Sequence, residues 1–256
     1  MKSSPIDRYS DYDLYARIYN DEIGDRLSRL ALLPLERLLF STLPAPASLL
    51  DLCCGTGHLV ADLTRRGYTV WGLDGSEQML HYAHLNAPEA TFLLADARSF
   101  SLPQPVQAVI STSDSLNHIL QLDELSQVFQ NVHAALVPQG YFLFDFNLES
   151  RYQAATWNGS LSGGITEDYA WAAQRLYDGH LGQVNLTIFQ RVENDLWRRS
   201  DSCLTGRSYD IAAVQSALTQ AGFTNIQIYN AQDDFDIQDW GEGKVYIWCR
   251  KSIAID

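Results

Sequence analysis

Three acids and a pair of glycines are the residues of this 256-residue chain whose types and spacing could do chemistry. Asp51 sits near the end of a short apolar run, Ser48-Leu49-Leu50-Asp51-Leu52, after which the chain turns through Cys53-Cys54-Gly55-Thr56-Gly57-His58 into the amphipathic stretch Leu59 to Leu63. That pattern reads as strand, tight loop and helix. Glycine is needed where φ is positive or where a ligand approaches the main chain, so Gly55 and Gly57 point to a nucleotide-like ligand above the strand's carboxyl end. A dinucleotide fingerprint would carry a third glycine where this chain has Val60, whose branched side chain would crowd the packing of helix on strand. Asp51 would also repel a pyrophosphate, and it favours a ligand with positive charge. Asp74 ends a second strand-like run, Tyr68 to Asp74. It lies about 20 residues beyond the glycine loop, where a carboxylate of a parallel sheet accepts hydrogen bonds from ribose hydroxyls. A third run, Thr91 to Leu94, leads into Asp96.

Composition narrows the partners. With 46% apolar residues the chain can bury a full core, as one α/β domain with an insertion or as a large and a small domain. No run approaches the roughly 18 to 20 apolar residues that span a bilayer, and Met1 to Arg8 lacks the apolar region of a signal peptide. A soluble, cytoplasmic protein without a membrane partner is the expectation. Cys53, Cys54, Cys203 and Cys249 form no C-x-x-C pair, which argues against both a zinc site and a disulfide framework. Without a secretory signal, the glycosylation patterns at Asn158 and Asn185 are chance matches. A net charge of −13 disfavours nucleic acid, whose phosphates need clustered Lys and Arg, and favours a small-molecule substrate. His81 and His84 share a helix face with no carboxylate or cysteine beside them, so they read as surface residues and no metal site is expected.

The stretch from Asp51 to Gly57 resembles motif I of the class I S-adenosylmethionine-dependent methyltransferases, and further segments extend the resemblance from about Tyr9 to Arg250. It implies that Asp51 and the loop bearing Cys53, Gly55 and Gly57 hold the zwitterionic methionine part of S-adenosylmethionine. Asp74-Gly75-Ser76-Glu77-Gln78-Met79-Leu80 is similar to the segment after the family's ribose acid, with Ser76 as helix N-cap. Asp74, Gly75 and Met79 join the cofactor set on that basis. Asp96 inherits the role of acceptor for the adenine amino group, and the Ala97 main chain that of donor to a ring nitrogen. Ser111 to Ile119 occupies the motif IV position without the N-P-P-Y or D-P-P-Y of DNA-amino and glutamine methyltransferases, and looks like the form found in small-molecule and sugar-amine N-methyltransferases. Ser113 is placed beside the cofactor. His118 is a candidate general base or substrate-orienting group, with capping or packing under the loop as the alternative. Ala16-Arg17-Ile18-Tyr19-Asn20 resembles a segment that covers the cofactor, A-x-x-Y-D, although Asn20 departs from it. Tyr19 therefore counts as both a cofactor and a catalytic candidate.

These residues need elements to position them. Residues 1–43 read as a helical lid with Tyr12, Tyr15 and Tyr19 on one face, ended by Pro44-Ala45-Pro46. Residues 44–147 and 205–256 read as a cofactor-binding core: a Rossmann-like α/β fold with a seven-stranded, mostly parallel sheet. A helix over Leu122 to Leu136 stops at Pro138-Gln139-Gly140, before a buried fifth strand over Tyr141 to Asn147. Residues 148–204 then break the alternation. Trp157 to Gly164 reads as a flexible linker, and Tyr169 to Leu204 as three antiparallel strands turning at Asp178-Gly179 and Glu193 to Asp195. Such an insert would cover the substrate or pair two copies as a homodimer. The acidic Asp233-Asp234-Phe235-Asp236 suggests a hairpin between Phe223 to Tyr229 and a final antiparallel strand, Lys244 to Arg250.

Overall fold

The computed structural model describes the backbone of residues 5–252 except 194 and 241, and side chains from residue 12 onward except 194, 240 and 241. Tyr9 lies outside the described side chains. The amino-terminal segment forms helix α1 (Pro5–Ile18), a wide turn Tyr19–Ile23, and helix α2 (Gly24–Leu35). The core follows as β1 (Ser48–Leu52), α3 (His58–Arg65), β2 (Thr69–Asp74), α4 (Glu77–Asn86), β3 (Thr91–Leu94) and β4 (Val106–Ser111). A short helical turn, Ser115–His118, leads to α5 (Leu122–Ala135), β5 (Leu136–Asn147) and α6 (Glu149–Gln153). Four strands then form the insert: β6 (Leu161–Ile165), β7 (Tyr169–Tyr177), β8 (Leu181–Glu193) and β9 (Leu196–Arg207). The core closes with α7 (Ile211–Gln220), β10 (Phe223–Asn230), α8 (Ala231–Phe235) and β11 (Lys244–Lys251).

Seven strands pair in the order β10-β11-β5-β4-β1-β2-β3. β1 to β5 run parallel, and β11 is antiparallel to both β5 and β10. The chain winds outward from β1 to β3 and returns to β4 on the other side, so its direction reverses between β1 and β4. Open α/β sheets bind ligands at the carboxyl ends of the strands beside that reversal. Asp51 on β1 and the loop after Ser111 on β4 both lie there. Side-chain alternation splits the core between the two faces. Leu50 and Leu52 join Phe129, Phe142 and Phe144 on one face, and Leu49 joins Leu35, Val60, Leu63 and Ile110 on the other.

The insert sheet has a separate core. Tyr169, Trp171 and Ala173 of β7 alternate inward with Leu186 and Ile188 of β8, and all five bury against Tyr15 and Ile18 of α1. Tyr15 meets Trp171 edge to face with ring centroids 6.1 Å apart, and Trp171 donates its indole N–H to Glu22 at 3.1 Å. Arg17 reaches Asp168 at 2.9 Å. The amino-terminal helices are thus packed between the insert and helices α3 and α4 of the core.

Four expectations are corrected. The insert has four strands, not three, because the segment read as a linker contains β6 and Trp157 is buried against Tyr152. Its glycines serve close approach: a Cβ at Gly163 would stand 2.5 Å from the Trp171 carbonyl oxygen, and one at Gly164 2.7 Å from Glu22. The insert sheet also continues past residue 204 to Arg207. β5 starts at Leu136, and Pro138-Gln139-Gly140 is a register shift within it, opposite Val106 and Ala108, with Gln139 at φ 63°. Between β10 and β11 the acidic residues form α8, where the Asn230 side chain accepts from the N–H groups of Gln232 and Asp233, so the connection is helical.

Gly57 packs tightly under the loop. It adopts φ 75°, and a Cβ there would lie 2.9 Å from the Ala83 Cα of α4. Left-handed strain and overpacking each cost about 1–3 kcal/mol. Gly57→Ala is expected to destabilise the fold by about 2–4 kcal/mol, read as a lower midpoint in urea unfolding.

Candidate functional site

Two clefts adjoin at the reversal point and share Tyr19, Cys53 and Ser113. The larger, of about 620 Å³, is lined by Gly55, Asp74, Gly75, Met79 and Ala97 at one end and by Tyr12, Ser115 and His118 at the other. The smaller holds Asp51, Cys54, Thr56, His58 and Thr112. The loop after β1 shapes both. Gly55 adopts φ 54°, and a Cβ there would meet the Tyr19 ring at 3.5 Å, so this ring lies directly over the glycine loop.

Asp74 organises the end of the larger cleft that holds Gly55, Gly75 and Met79. Its Oδ2 accepts the Gly55 N–H at 2.8 Å and its Oδ1 the Ser76 N–H at 2.9 Å. Burial raises its carboxyl above the usual range, against the lowering effect of the backbone donors at Ser76, Gly55 and Gly75. Ser76 caps α4 as expected, accepting the Met79 N–H at 3.1 Å, and it donates its hydroxyl to Asp13 of α1 at 2.5 Å. Asn20 ties the amino-terminal segment to the same helix by accepting from Asn86 Nδ2 at 2.7 Å.

Asp51 is 3% exposed. Burial, and then the charge of Asp74, push its carboxyl up to about 8, with no hydrogen bond from the described residues to offset them. Such a group needs either a proton or a cation. The folded carboxyl keeps its proton to about pH 8 while the unfolded chain releases it near 4, so between those values the folded state binds more protons. Its stability contribution is full below about pH 4 and is lost as pH rises through 8, by up to about 5 kcal/mol. Asp51→Asn is expected to flatten the dependence of melting temperature on pH between 5 and 8.5 in ligand-free protein, with the gain largest at the alkaline end.

His118 stands where three elements meet. A carbonyl oxygen can only accept, so the contact of Nδ1 with Thr205 O at 2.6 Å puts the ring proton on Nδ1. Nε2 then accepts the Tyr12 hydroxyl at 2.6 Å. Burial, followed by the charge of Asp114, raises the Tyr12 hydroxyl well above its ordinary value, and the same two causes raise Tyr19. The result is a directed chain from the cleft, through Tyr12 and His118, to the insert strand β9.

Of the residues singled out in the sequence, Tyr19, Asp51, Cys53, Gly55, Asp74, Gly75, Met79, Ala97, Ser113 and His118 come together around the clefts. Gly57 lies beneath, packed on Ala83. The Asp96 carboxylate turns to Arg98, whose Nε reaches Oδ1 at 2.9 Å and whose Nη2 reaches Oδ2 at 2.5 Å. His84 donates its Nδ1–H to the Leu80 carbonyl, 2.7 Å away. Tyr12, Asp114, Asp145 and Lys244 were missed as site residues. The signal for Asp145 was available: an acid within the apolar run Phe142 to Phe146 demands a buried cation.

No helix among the described residues is long and apolar enough to cross a membrane. A family model described as a methyltransferase domain matches residues 49–140. The chain is 29% identical, over 70% of its length and 75% of the relative's, to a protein of Geobacillus sp. (strain WCH70) named as a methyltransferase. It is 30% identical, over 53% of its length and 55% of the relative's, to the dTDP-3-amino-3,4,6-trideoxy-alpha-D-glucopyranose N,N-dimethyltransferase of Streptomyces venezuelae. Its fold is similar to that of the S-adenosylmethionine-bound amino pentose methyltransferase from Micromonospora echinaspora. That match has a TM-score of 0.70 at 18% identity and covers 92% of this chain and 97% of the other.

Proposed function

We propose that the acceptor of this chain, an S-adenosylmethionine-dependent methyltransferase, is the amino group of a small sugar. The observation that carries this reading is the Tyr12–His118 chain at the acceptor end of the larger cleft. An amine is largely protonated near neutral pH and must lose a proton before it attacks. The relatives that act on dTDP-amino sugars support the same acceptor class.

The residues present fit the cofactor. Asp51, buried and without a donor among the described residues, suits its ammonium group; Asp74 suits the ribose diol; the Ala97 main chain, beside an Asp96 held by Arg98, suits the adenine edge. When bound, S-adenosylmethionine supplies an electrophilic methyl on a sulfonium, which the acceptor nitrogen takes by in-line displacement of sulfur. The protein positions and deprotonates. Tyr12 accepts the acceptor's N–H proton at its oxygen as it passes its own proton to His118 Nε2, while Nδ1 stays on the Thr205 carbonyl and holds the ring. The Tyr19 ring, over Gly55, closes the cleft to water and offers a π face to positive charge.

In this reading residues 1–43 act as the lid, 44–147 and 205–256 as the cofactor core, and the insert from 148 as the acceptor cover. Pairing of two copies through the insert is supported by exposed Leu161, Ile165, Leu196 and Trp197 on its edge strands. The test is transfer of label from methyl-labelled S-adenosylmethionine to a panel of dTDP-amino sugars, their hydroxyl counterparts and bulk tRNA. Label on the amino sugars alone is the expected result; label on tRNA would replace the reading.

A further inference from the structure

The loop after β4 carries two consecutive residues at positive φ that are not glycine, Ser113 at 65° and Asp114 at 53°. Side chains are tolerated in that region only where the surroundings hold them. Here they are held from beneath. Asp145, at the carboxyl end of β5 and 2% exposed, accepts the Ser113 N–H at 2.6 Å and the Asp114 N–H at 2.5 Å. Lys244, fully buried at the start of β11, sets its Nζ 3.2 Å from Asp145 Oδ1 and 3.2 Å from Asp114 Oδ1. A buried ammonium between carboxylates is weak support for stability, and a pair of glycines would make the same turn with no buried charge.

The two carboxylates differ in where they look. Asp145 is enclosed, whereas the Asp114 side chain is 34% exposed, and its second oxygen has no donor among the described residues. Its neighbours Ser113 and Ser115 line the larger cleft with Tyr12, Tyr19 and His118. Among neighbouring charges, Asp114 acts most strongly on both Tyr12 and Tyr19. The turn thus holds a carboxylate between two residues that line the cleft, close enough for its charge to act on Tyr12 and Tyr19.

We propose that Asp114 is the acceptor-recognising carboxylate, taking N–H or O–H donors that flank the reacting nitrogen, and that Lys244 is the positioning residue that fixes it. This rests on the amino-sugar reading above. Asp114→Asn keeps the shape of the side chain and leaves Lys244 paired with Asp145, so the fold is retained; Asp114→Glu keeps the charge at a different reach. The experiment is steady-state kinetics with a dTDP-amino sugar, together with calorimetry of S-adenosylhomocysteine. Asp114→Asn is expected to raise KM for the amino sugar 10- to 100-fold, with kcat within threefold and the S-adenosylhomocysteine Kd within twofold, and Asp114→Glu to recover part of the loss. An unchanged KM, or a loss of S-adenosylhomocysteine affinity equal to the loss in KM, overturns the assignment. A wild-type enzyme that binds S-adenosylhomocysteine but methylates no amino sugar overturns the acceptor reading and this assignment with it. Wild-type turnover with a KM indifferent to Asp114→Asn overturns this assignment alone.

Discussion

His118→Ala is expected to lower kcat for an amine acceptor by about 10²- to 10⁴-fold, the range for removal of a positioned proton acceptor, and to leave S-adenosylhomocysteine affinity nearly unchanged. The geometry gives the ring two separable jobs. Nδ1 fastens it to Thr205 of β9 at 2.6 Å, and Nε2 receives the Tyr12 hydroxyl at 2.6 Å. His118→Asn can keep the first by donating from its amide, but it supplies no basic nitrogen at the second. If the ring only packs the loop, Asn should restore turnover. If it takes the proton, Asn should be as slow as Ala, and Tyr12→Phe should show a comparable loss at the same step. Single-turnover rates with bound cofactor separate these outcomes.

Asp74→Ala carries the second large effect, on binding. Its carboxylate already accepts from Gly55 and Ser76 and lines the larger cleft. Two charge-assisted hydrogen bonds from a ribose diol are worth roughly 1.5–3 kcal/mol each before solvent competes. Loss of both is expected to weaken S-adenosylhomocysteine by about 100-fold or more in calorimetric titration. Asp74→Asn, which keeps one carbonyl acceptor, should fall between. Unchanged affinity in Asp74→Ala would remove the ribose assignment.

The cofactor half was legible because its signals are local. A strand-end acid, a glycine at positive φ and a helix cap each declare themselves within a few residues, and Asp51, Gly55, Asp74 and Ser76 all stand where that logic put them. The acceptor half was not, because its contacts join distant parts of the chain. Tyr12 meets His118 across 106 residues, and Lys244 meets Asp114 across 130. Local preference even misled at β6, where Gly163 and Gly164 look like a linker but are small so that Trp171 and Glu22 can lie against them. The same holds for Pro138 to Gly140, which ends a helix by composition and yet sits inside β5, where pairing with β4 tolerates the shift.

Asp51 is expected to wait, protonated, for the cationic end of S-adenosylmethionine. Titration calorimetry with S-adenosylhomocysteine at pH 7, in buffers of different ionisation enthalpy, measures it directly. With the carboxyl pushed up to about 8 in the free protein, an arriving ammonium group should drive its ionisation. The wild type should therefore bind one molecule and release close to one proton, and Asp51→Asn should bind more weakly and release none. Binding by the wild type with no proton released, or no binding of S-adenosylhomocysteine at all, would contradict the account.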